Sequence, residues 1–218
     1  MKTFEELNIS AGIRKAIAEM GFENPMPVQE EVIPFMLGKR NDVIALAQTG
    51  TGKTAAYGLP LIQEADNSNP MPGSLILCPT RELCIQITGD LTDFAKYCDD
   101  IKVLPVYGGT GIDSQIKALK KGVQIIVATP GRLLDLMERK AVELKNVSRV
   151  VLDEADEMLN MGFLEDINKI LAKVPEDRNT MLFSATMPDE IAGISKKYMH
   201  KPVEITIGTR NSGAENIK

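Results

Sequence analysis

The chain has 218 residues, of which 44% are hydrophobic and 25% are charged, with a formal net charge of −5. These values are typical of a soluble globular protein with one large domain or two small ones, and the acidic balance argues against a broad basic face for nonspecific nucleic-acid binding. The three cysteines form no C-x-x-C pair and the chain has one histidine, so we expect free thiols in a reducing compartment and no zinc site.

No apolar run in the sequence approaches the roughly 20 residues that a membrane-spanning helix requires. The amino-terminal residues also lack the apolar core of a signal peptide. We therefore expect a cytoplasmic protein without a membrane partner.

Short apolar runs and segments with helical periodicity alternate along the chain. Two helices are predicted near the amino terminus, at residues 9–21 with Ser10 as N-cap and at residues 28–37 with a kink at Pro34. Strands are predicted at residues 43–47, 75–78, 103–107, 125–128, 149–152, 181–183 and 203–207. Further helices are predicted from residue 54 and at residues 80–97, 112–121, 132–139, 156–161, 164–172 and 189–199. This alternation predicts an α/β fold with a mainly parallel sheet and helices on both faces, and Pro105 predicts that the third strand lies at an edge.

A glycine-bearing loop lies between the first predicted strand and the helix that follows it. Its sequence is Gln48-Thr49-Gly50-Thr51-Gly52-Lys53-Thr54. Glycines allow backbone N–H groups to converge on one anion, and the start of the helix adds the positive end of its dipole. In such a loop Lys53 would reach the β- and γ-phosphates of a nucleotide, and the Thr54 hydroxyl would bind Mg²⁺. Ala47 stands where the strict phosphate-loop pattern has glycine, and the alternative is an ordinary glycine turn before a surface helix.

Two acidic residues, Asp153 and Glu154, follow the predicted strand at residues 149–152. Ligands of an open α/β sheet bind at the carboxyl ends of its strands. At that position Asp153 can hold the Mg²⁺ that bridges the β- and γ-phosphates, and Glu154 can orient and deprotonate an attacking water. The alternative is an acidic helix start that the helix dipole stabilises. Together with the phosphate loop, the two acids predict a site for a nucleoside triphosphate.

Six segments of the chain, taken as an ordered set, resemble the motifs of the DEAD-box RNA helicases. They are Ala47-Gln48-Thr49-Gly50-Thr51-Gly52-Lys53-Thr54 for motif one, Pro79-Thr80-Arg81-Glu82-Leu83 for motif Ia, Gly108-Gly109 for the glycine doublet, Thr129-Pro130-Gly131-Arg132 for motif Ib, Asp153-Glu154-Ala155-Asp156 for motif two and Ser184-Ala185-Thr186 for motif three. The resemblance covers residues 4–207 and implies a RecA-like P-loop NTPase domain that binds ATP and Mg²⁺. It also implies that the loop residues 48–54 contact the nucleotide, with Lys53, Asp153 and Glu154 as the catalytic residues.

The family has an adenine-reading Q motif upstream of the phosphate loop, and residues 21–29 resemble it. The resemblance implies that the amide of Gln29 pairs with adenine, that Phe22 stacks on the ring, and that Phe4 is the upstream aromatic. Met26 departs from the family, which usually has threonine or serine there. Without the ordered motifs, Phe22 and Gln29 would be read as packing and surface residues.

The resemblance also implies an RNA-binding face, built from loops that follow predicted strands. Its residues are Pro79, Thr80, Arg81, Gly108, Gly109, Thr129, Pro130, Gly131 and Arg132. Glycines let a sugar-phosphate backbone approach, and N–H and hydroxyl groups at helix starts bind phosphate oxygens, so little base preference is expected. The alternative is that these segments are connecting turns and helix caps.

Ser184 and Thr186 are expected to couple the nucleotide site to the RNA-binding face by hydrogen bonding to Asp156 or its neighbours. A plain helix cap near Pro188 is the alternative for this segment. The sequence therefore predicts contacts between motif three and motif two.

The expected organisation is an ATP-binding domain over residues 1–207 and the start of an interdomain linker over residues 208–218. The family's second RecA-like domain, which carries an arginine finger, is not contained in this sequence, and we expect the 218-residue chain to be a nearly inactive monomer. The expected function is that of the first half of an ATP-dependent RNA helicase, with RNA and the C-terminal domain of the same protein as partners. An ATP-gated RNA clamp and a DNA-directed helicase are the alternatives.

Overall fold

The structure is a computed structural model that describes residues 1–208. Its strands are β1 Val43–Leu46, β2 Ser74–Leu77, β3 Val103–Val106, β4 Ile125–Ala128, β5 Arg149–Leu152, β6 Asn179–Ser184 and β7 Val203–Thr206. Its helices are α1 Ala11–Glu19, α2 Pro27–Leu37, α3 Lys53–Gln63, α4 Arg81–Phe94, α5 Ile112–Lys121, α6 Pro130–Glu138, α7 Ala155–Asn160, α8 Leu164–Leu171 and α9 Asp189–Tyr198. The predicted linker begins at Gly208, and its other residues, 209–218, lie outside the described part of the chain.

The seven strands form one sheet in the order β3-β4-β2-β5-β6-β1-β7, and every neighbouring pair is parallel. This confirms the predicted α/β fold. β3 lies at an edge of the sheet, as Pro105 predicted, because a proline has no N–H group to donate to a second neighbour. None of the helices formed by residues 1–208 is both long and apolar enough to cross a bilayer.

Both faces of the sheet are covered, which explains why its strands are apolar without alternation. Along β1, Val43 and Ala45 belong to one hydrophobic cluster, whereas Ile44 belongs to the other. The first cluster also contains the buried residues of α1, α2, α3 and α4. The second contains those of α6, α7, α8 and α9. The strand residues that face opposite sides therefore each have helices to pack against.

The strand order brings the predicted motifs into two groups, both at the carboxyl ends of the strands. β5, β6 and β1 are consecutive neighbours, so the segments after their carboxyl ends, which carry motif two, motif three and the phosphate loop, lie side by side. β3, β4 and β2 are consecutive in the other half of the sheet, and the predicted RNA-binding loops follow them. Because ligands of such sheets bind at the carboxyl ends of the strands, we expect the functional site there.

Helix ends differ from the sequence predictions at several positions. Helix α4 begins at Arg81, because the Thr80 hydroxyl accepts a hydrogen bond from the Leu83 N–H at 3.2 Å and so caps the helix. Helix α6 begins at Pro130, two residues earlier than expected, since proline suits the first turn of a helix. Ser10 occupies the predicted N-cap position of α1 with an extended backbone, but its side chain makes no cap hydrogen bond.

Candidate functional site

The loop after β1 has the backbone shape that its glycines predicted. Gly50 and Gly52 have positive φ angles of 83° and 85°, a region that other residues adopt only with strain. A Cβ atom at Gly52 would lie 2.7 Å from Nε2 of Gln29 and 2.8 Å from Sδ of Met26. Gly52 is therefore required both by its backbone angle and by the close approach of the Q-motif segment.

Ala47 replaces the first glycine of the phosphate-loop pattern without disturbing the loop. Its N–H donates to the Ser184 carbonyl at 3.0 Å, which continues the pairing of β1 with β6 by one residue. The Ala47 side chain is buried, at 3% exposure. Ala47 is not among the residues with a positive φ angle, and its side chain is small, so the position does not require glycine.

A cleft of about 670 Å³ lies beside this loop. Its lining includes Phe22, Gln29, Thr49, Gly50, Gly52, Lys53, Thr54, Asp153 and Glu154. Gln48 and Thr51 do not line the cleft, and they close the loop on itself through a hydrogen bond from the Thr51 hydroxyl to the Gln48 carbonyl at 2.7 Å. The volume is in the range of about 300–1,000 Å³ that is usual for small-molecule sites.

Lys53 connects the phosphate loop to the two acids of motif two. Its Nζ lies 3.3 Å from Oδ1 of Asp153 and 3.9 Å from Oε1 of Glu154. The Lys53 side chain is 9% exposed and that of Asp153 is 2% exposed. Lys53 starts α3 after β1, and Asp153 and Glu154 follow β5. The carboxyl ends of these two strands lie on either side of β6 and bring residues 100 positions apart in sequence into one charged cluster.

Tyr57 is a member of this cluster that the sequence analysis missed. Its hydroxyl donates to Oδ2 of Asp153 at 2.7 Å, and its ring packs on Phe183 with centroids 5.3 Å apart. Burial raises the pKa of Tyr57 well above its ordinary value, and the negative charge of Asp153 raises it further, so the hydroxyl stays protonated and donates. The sequence signal that could have found it is its spacing from Lys53. The two residues are four positions apart, and residues four apart on a helix share a face.

The two oxygens of Asp153 have different surroundings. Within residues 1–208, no donor is aligned to form a hydrogen bond with Oδ1, although this atom is buried and Lys53 is nearby. A buried carboxylate oxygen without a hydrogen bond suits a hard cation such as Mg²⁺, which prefers oxygen ligands. Among the described residues no group of three or more His, Cys, Asp or Glu side chains is placed to hold a metal ion. The donor set therefore fits an ion that is also bound by phosphate oxygens and water.

Glu154 has an unusual backbone and an altered acidity. Its φ and ψ angles are 51° and 53°, a left-handed conformation that costs a residue other than glycine roughly 1–3 kcal/mol and is common at functional sites. Burial raises the pKa of its carboxyl group, the nearby ammonium of Lys53 lowers it, and the charge of Asp153 raises it again, with a net upward shift. A raised pKa makes the carboxylate a stronger base, which favours proton abstraction from water.

Gln29 joins the Q-motif segment to the phosphate loop. Its Oε1 accepts from the Met26 N–H at 2.9 Å, and its Nε2 donates to the Gly52 carbonyl at 3.2 Å. The side chain is buried at 2% exposure. A carboxamide has a second lone pair and a second N–H, so these contacts leave one acceptor and one donor position for a base.

Phe22 and Phe4 occupy different places in the structure. Phe22 lines the cleft. The ring of Phe94 lies edge-on to it at 6.1 Å, and that of Phe4 is tilted at 6.4 Å. Phe4 is only 6% exposed and does not line the cleft. Phe4 therefore packs in the core against Phe22, and its expected contact with the nucleotide stays a prediction.

Arg81 and the glycine doublet form the exposed part of the predicted RNA-binding face. The guanidinium of Arg81 lies 5.0 Å from the centre of the Tyr107 ring, a geometry that holds the side chain through a cation–π contact. Gly109 has a φ angle of 87°, and both it and Gly108 are exposed. These residues leave backbone groups and one cation open to a ligand.

Other predicted RNA contacts have internal partners. Arg132 donates to Oε1 of Gln115 at 3.1 Å and to the Thr110 carbonyl at 3.0 Å, so it orders the loop after the glycine doublet. Pro79 and Pro130 are buried and Gly131 is exposed, while Thr129 is half-buried and its side chain makes no cap hydrogen bond. Within motif Ib, Gly131 is therefore open to solvent, and the Thr129 hydroxyl caps no helix.

Motif three contacts motif two through Asp156. The Ser184 hydroxyl accepts from the Asp156 N–H at 3.2 Å. Oδ2 of Asp156 in turn accepts from the N–H and the hydroxyl of Thr186, at 3.1 Å and 3.0 Å. The contacts expected between motif three and motif two are therefore present, and their coupling role stays a prediction.

Comparisons with known proteins agree with this geometry. A family model described as DEAD/DEAH box helicase matches residues 26–194. The chain is 49% identical over 218 residues to "DEAD-box ATP-dependent RNA helicase CshA" of Bacillus cereus, covering 100% of this chain and 41% of that protein. It is 48% identical over 205 residues to "ATP-dependent RNA helicase DeaD" of Escherichia coli, covering 94% of this chain and 32% of that protein.

A solved structure shows the same fold. The crystal structure of a DEAD box protein from the hyperthermophile Methanococcus jannaschii superposes with a TM-score of 0.91 at 46% sequence identity, covering 94% of this chain and 56% of that chain. The family model alone covers well over half of the sequence. The chain therefore belongs to the DEAD/DEAH box helicase family.

Proposed function

We propose that this chain is the ATP- and Mg²⁺-binding half of an ATP-dependent RNA helicase. The observation that supports this most directly is the charged cluster of Lys53, Asp153 and Glu154, which lines the cleft beside a glycine-shaped phosphate loop. The relatives named above are RNA helicases that are more than twice as long as this chain. The complete reaction therefore belongs to a larger protein, in which these residues form one wall of the site.

The residues of the cluster would act on the nucleotide in separate ways. Lys53 is paired with carboxylates here, and we propose that its ammonium moves to the β- and γ-phosphates when ATP enters. Thr54 and Asp153 would hold Mg²⁺, which supplies positive charge between the phosphates when bound. Glu154 would orient the attacking water and accept its proton.

The RNA-binding part of the proposal depends on the loops after β2, β3 and β4. These loops offer one cation, backbone N–H groups and a hydroxyl at the carboxyl ends of neighbouring strands. The residues concerned are Arg81, Gly108, Gly109, Thr129 and Gly131. Such groups bind phosphates and sugars and carry little base information. We propose that one RNA strand binds here with little sequence preference.

The alternative of an ATP-gated RNA clamp uses the same residues. The two functions differ in whether RNA is released after each round of hydrolysis. Both relatives are named as RNA helicases, which favours unwinding over clamping and RNA over DNA.

Replacing Lys53 with alanine should lower the affinity for ATP by about 10- to 100-fold, because hydrogen bonds to a charged partner are worth about 1.5–3 kcal/mol. The measurement is a titration of a fluorescent ATP analogue in the presence of Mg²⁺. The matched control is Lys145→Ala, which removes an exposed lysine remote from the cleft. Equal affinities for the wild type, the control and Lys53→Ala would show that the loop after β1 is not the nucleotide site.

Replacing Gln29 with alanine should weaken ATP binding more than GTP binding. Loss of a buried amide that pairs with adenine costs about 1–3 kcal/mol. Because Gln29 also bonds the Gly52 carbonyl, some affinity for both nucleotides should be lost through the phosphate loop. Competition of ATP against GTP on wild type and variant separates the two contributions, since only the adenine contact changes the ratio. An unchanged ratio would assign adenine recognition to other residues.

A further inference from the structure

Among the described residues, only one of the two carboxylate oxygens of Asp153 accepts a hydrogen bond. Its Oδ2 accepts the hydroxyl hydrogen of Tyr57 at 2.7 Å, whereas its Oδ1 lies 3.3 Å from Nζ of Lys53. The two contacts come from the same helix, because Lys53 and Tyr57 both belong to α3. Within residues 1–208, Oδ1 accepts no hydrogen bond. The tyrosine thus fixes the rotation of the carboxyl group about its last bond and directs the other oxygen toward the phosphate loop.

The two contacts should behave differently when a nucleotide binds. Lys53 has a better partner in the phosphates and would leave the carboxylate, which removes the cation from Oδ1. Tyr57 is fully buried and packs against Phe183, so its hydroxyl stays where it is. Without that hydroxyl, the carboxyl group would be free to rotate at the moment when its charge is no longer paired with Lys53.

We propose that Tyr57 is a positioning residue for Asp153, whose hydroxyl holds Oδ2 so that Oδ1 stays presented to a nucleotide-bound Mg²⁺ after Lys53 has moved to the phosphates. The inference rests on the proposed function, because Asp153 has an ion to meet only if ATP·Mg²⁺ binds in this cleft. Partners that orient a metal-binding side chain typically contribute about 10- to 100-fold in metal affinity. A tyrosine that only fills space would contribute to stability and leave the Mg²⁺ dependence unchanged.

The test is Tyr57→Phe, which removes one oxygen atom and keeps the ring that packs on Phe183. A fluorescent ATP analogue is titrated against wild type and variant, first with EDTA and then at increasing Mg²⁺ concentration. The expected result is an unchanged affinity in EDTA and an increase of about tenfold or more in the Mg²⁺ concentration that gives half-maximal binding. Thermal unfolding of both proteins shows whether the variant is folded under the conditions of the titration.

Two further variants distinguish positioning from general damage. Tyr198→Phe removes a hydroxyl that donates to a backbone carbonyl, that of Asn168, at 3.2 Å, and it should leave the Mg²⁺ midpoint unchanged. In an Asp153→Asn background, adding Tyr57→Phe should produce no further change in that midpoint, because the residue acts through Asp153.

The possible results separate the inference from the function on which it rests. If wild-type binding does not depend on Mg²⁺, the proposed function fails and the role of Tyr57 fails with it. If wild-type binding depends on Mg²⁺ and Tyr57→Phe has the wild-type midpoint, the role of Tyr57 is overturned and the proposed function stands. An equal loss of affinity in EDTA and in Mg²⁺, or an additive loss in the Asp153→Asn background, would also overturn it.

Discussion

Replacing Glu154 with glutamine should abolish ATP hydrolysis in the full-length protein while leaving nucleotide binding intact. The glutamine amide fills the same space but cannot accept a proton, and loss of a general base typically costs ~10²–10⁴ in rate. Binding should persist because the phosphate loop, Lys53 and the buried carboxylate of Asp153 are unchanged. The measurements are RNA-stimulated phosphate release and titration of a fluorescent ATP analogue on the same preparation.

The matched control is Glu157→Gln, which neutralises an exposed acid in α7, the helix that begins directly after Glu154. It changes the net charge equally and should keep wild-type turnover. Retention of more than roughly a tenth of wild-type turnover by Glu154→Gln would rule this residue out as the base, given the size expected of general base catalysis.

The pH dependence of hydrolysis gives a second check on Glu154. A base must be deprotonated to act, so the rate should fall as the pH decreases through the pKa of its carboxyl group. Burial raises that pKa above the ordinary value for glutamate, and the decline should therefore begin at a higher pH than for an exposed glutamate. The residual hydrolysis rate of Glu154→Gln should not show this decrease at low pH.

The parts of the site that the sequence predicted are those made by neighbouring residues. The phosphate loop follows a buried strand directly, and Asp153 with Glu154 follows another, so chain order and the rule for parallel sheets were sufficient to place them together. The pairing of β1 with β6 and of β5 with β6 could not be predicted from the sequence, because these strands are all short and apolar and could pair with many neighbours. Sheet order depends on helix packing across the whole domain, which a local pattern does not contain.

Some contacts between residues far apart in sequence were not predicted from the sequence. The hydroxyl of Tyr57 meets Asp153 from 96 residues away, and a tyrosine in an apolar helix looks like any other core residue. Phe4 has the spacing of the family's upstream aromatic, yet it packs behind Phe22 and does not reach the cleft. In both cases the contacts depend on the direction in which the ring points within the packed core, and residue type alone does not predict that direction.

Arg132 shows the same limit on the RNA side. The resemblance implies that Arg132 contacts RNA, which stays a prediction, but it did not indicate that the guanidinium donates to Gln115 and to the Thr110 carbonyl. Its hydrogen bonds stabilise the loop that carries Gly108 and Gly109. Replacing it would therefore alter the shape of the RNA-binding face as well as its charge.

The arrangement of the arginines leads to the largest effect that we expect. Transfer of the γ-phosphoryl group develops negative charge that an arginine finger stabilises, and such a residue is worth ~10³–10⁵ in rate. Among residues 1–208, no arginine lines the nucleotide cleft. Arg81 lies over Tyr107, and Arg149 is paired with Glu64 and Asn179 at the opposite ends of the strands. The described residues thus supply the glycine loop, the proposed base Glu154 and Lys53, but no arginine beside the cleft.

The 218-residue chain by itself should therefore bind adenine nucleotide weakly, hydrolyse it barely and separate no RNA duplex. Extending it through the linker into a second RecA-like domain should raise RNA-dependent turnover by about 10³-fold or more, the contribution of an arginine finger, and should restore duplex separation. The measurement is phosphate release with and without RNA for the short and long chains, with Lys53→Ala in the long chain as the control for contaminating ATPases. Strong RNA-stimulated hydrolysis by residues 1–218 alone would contradict this proposal, because among residues 1–208 no arginine lines the cleft to stabilise the transition state beside Lys53.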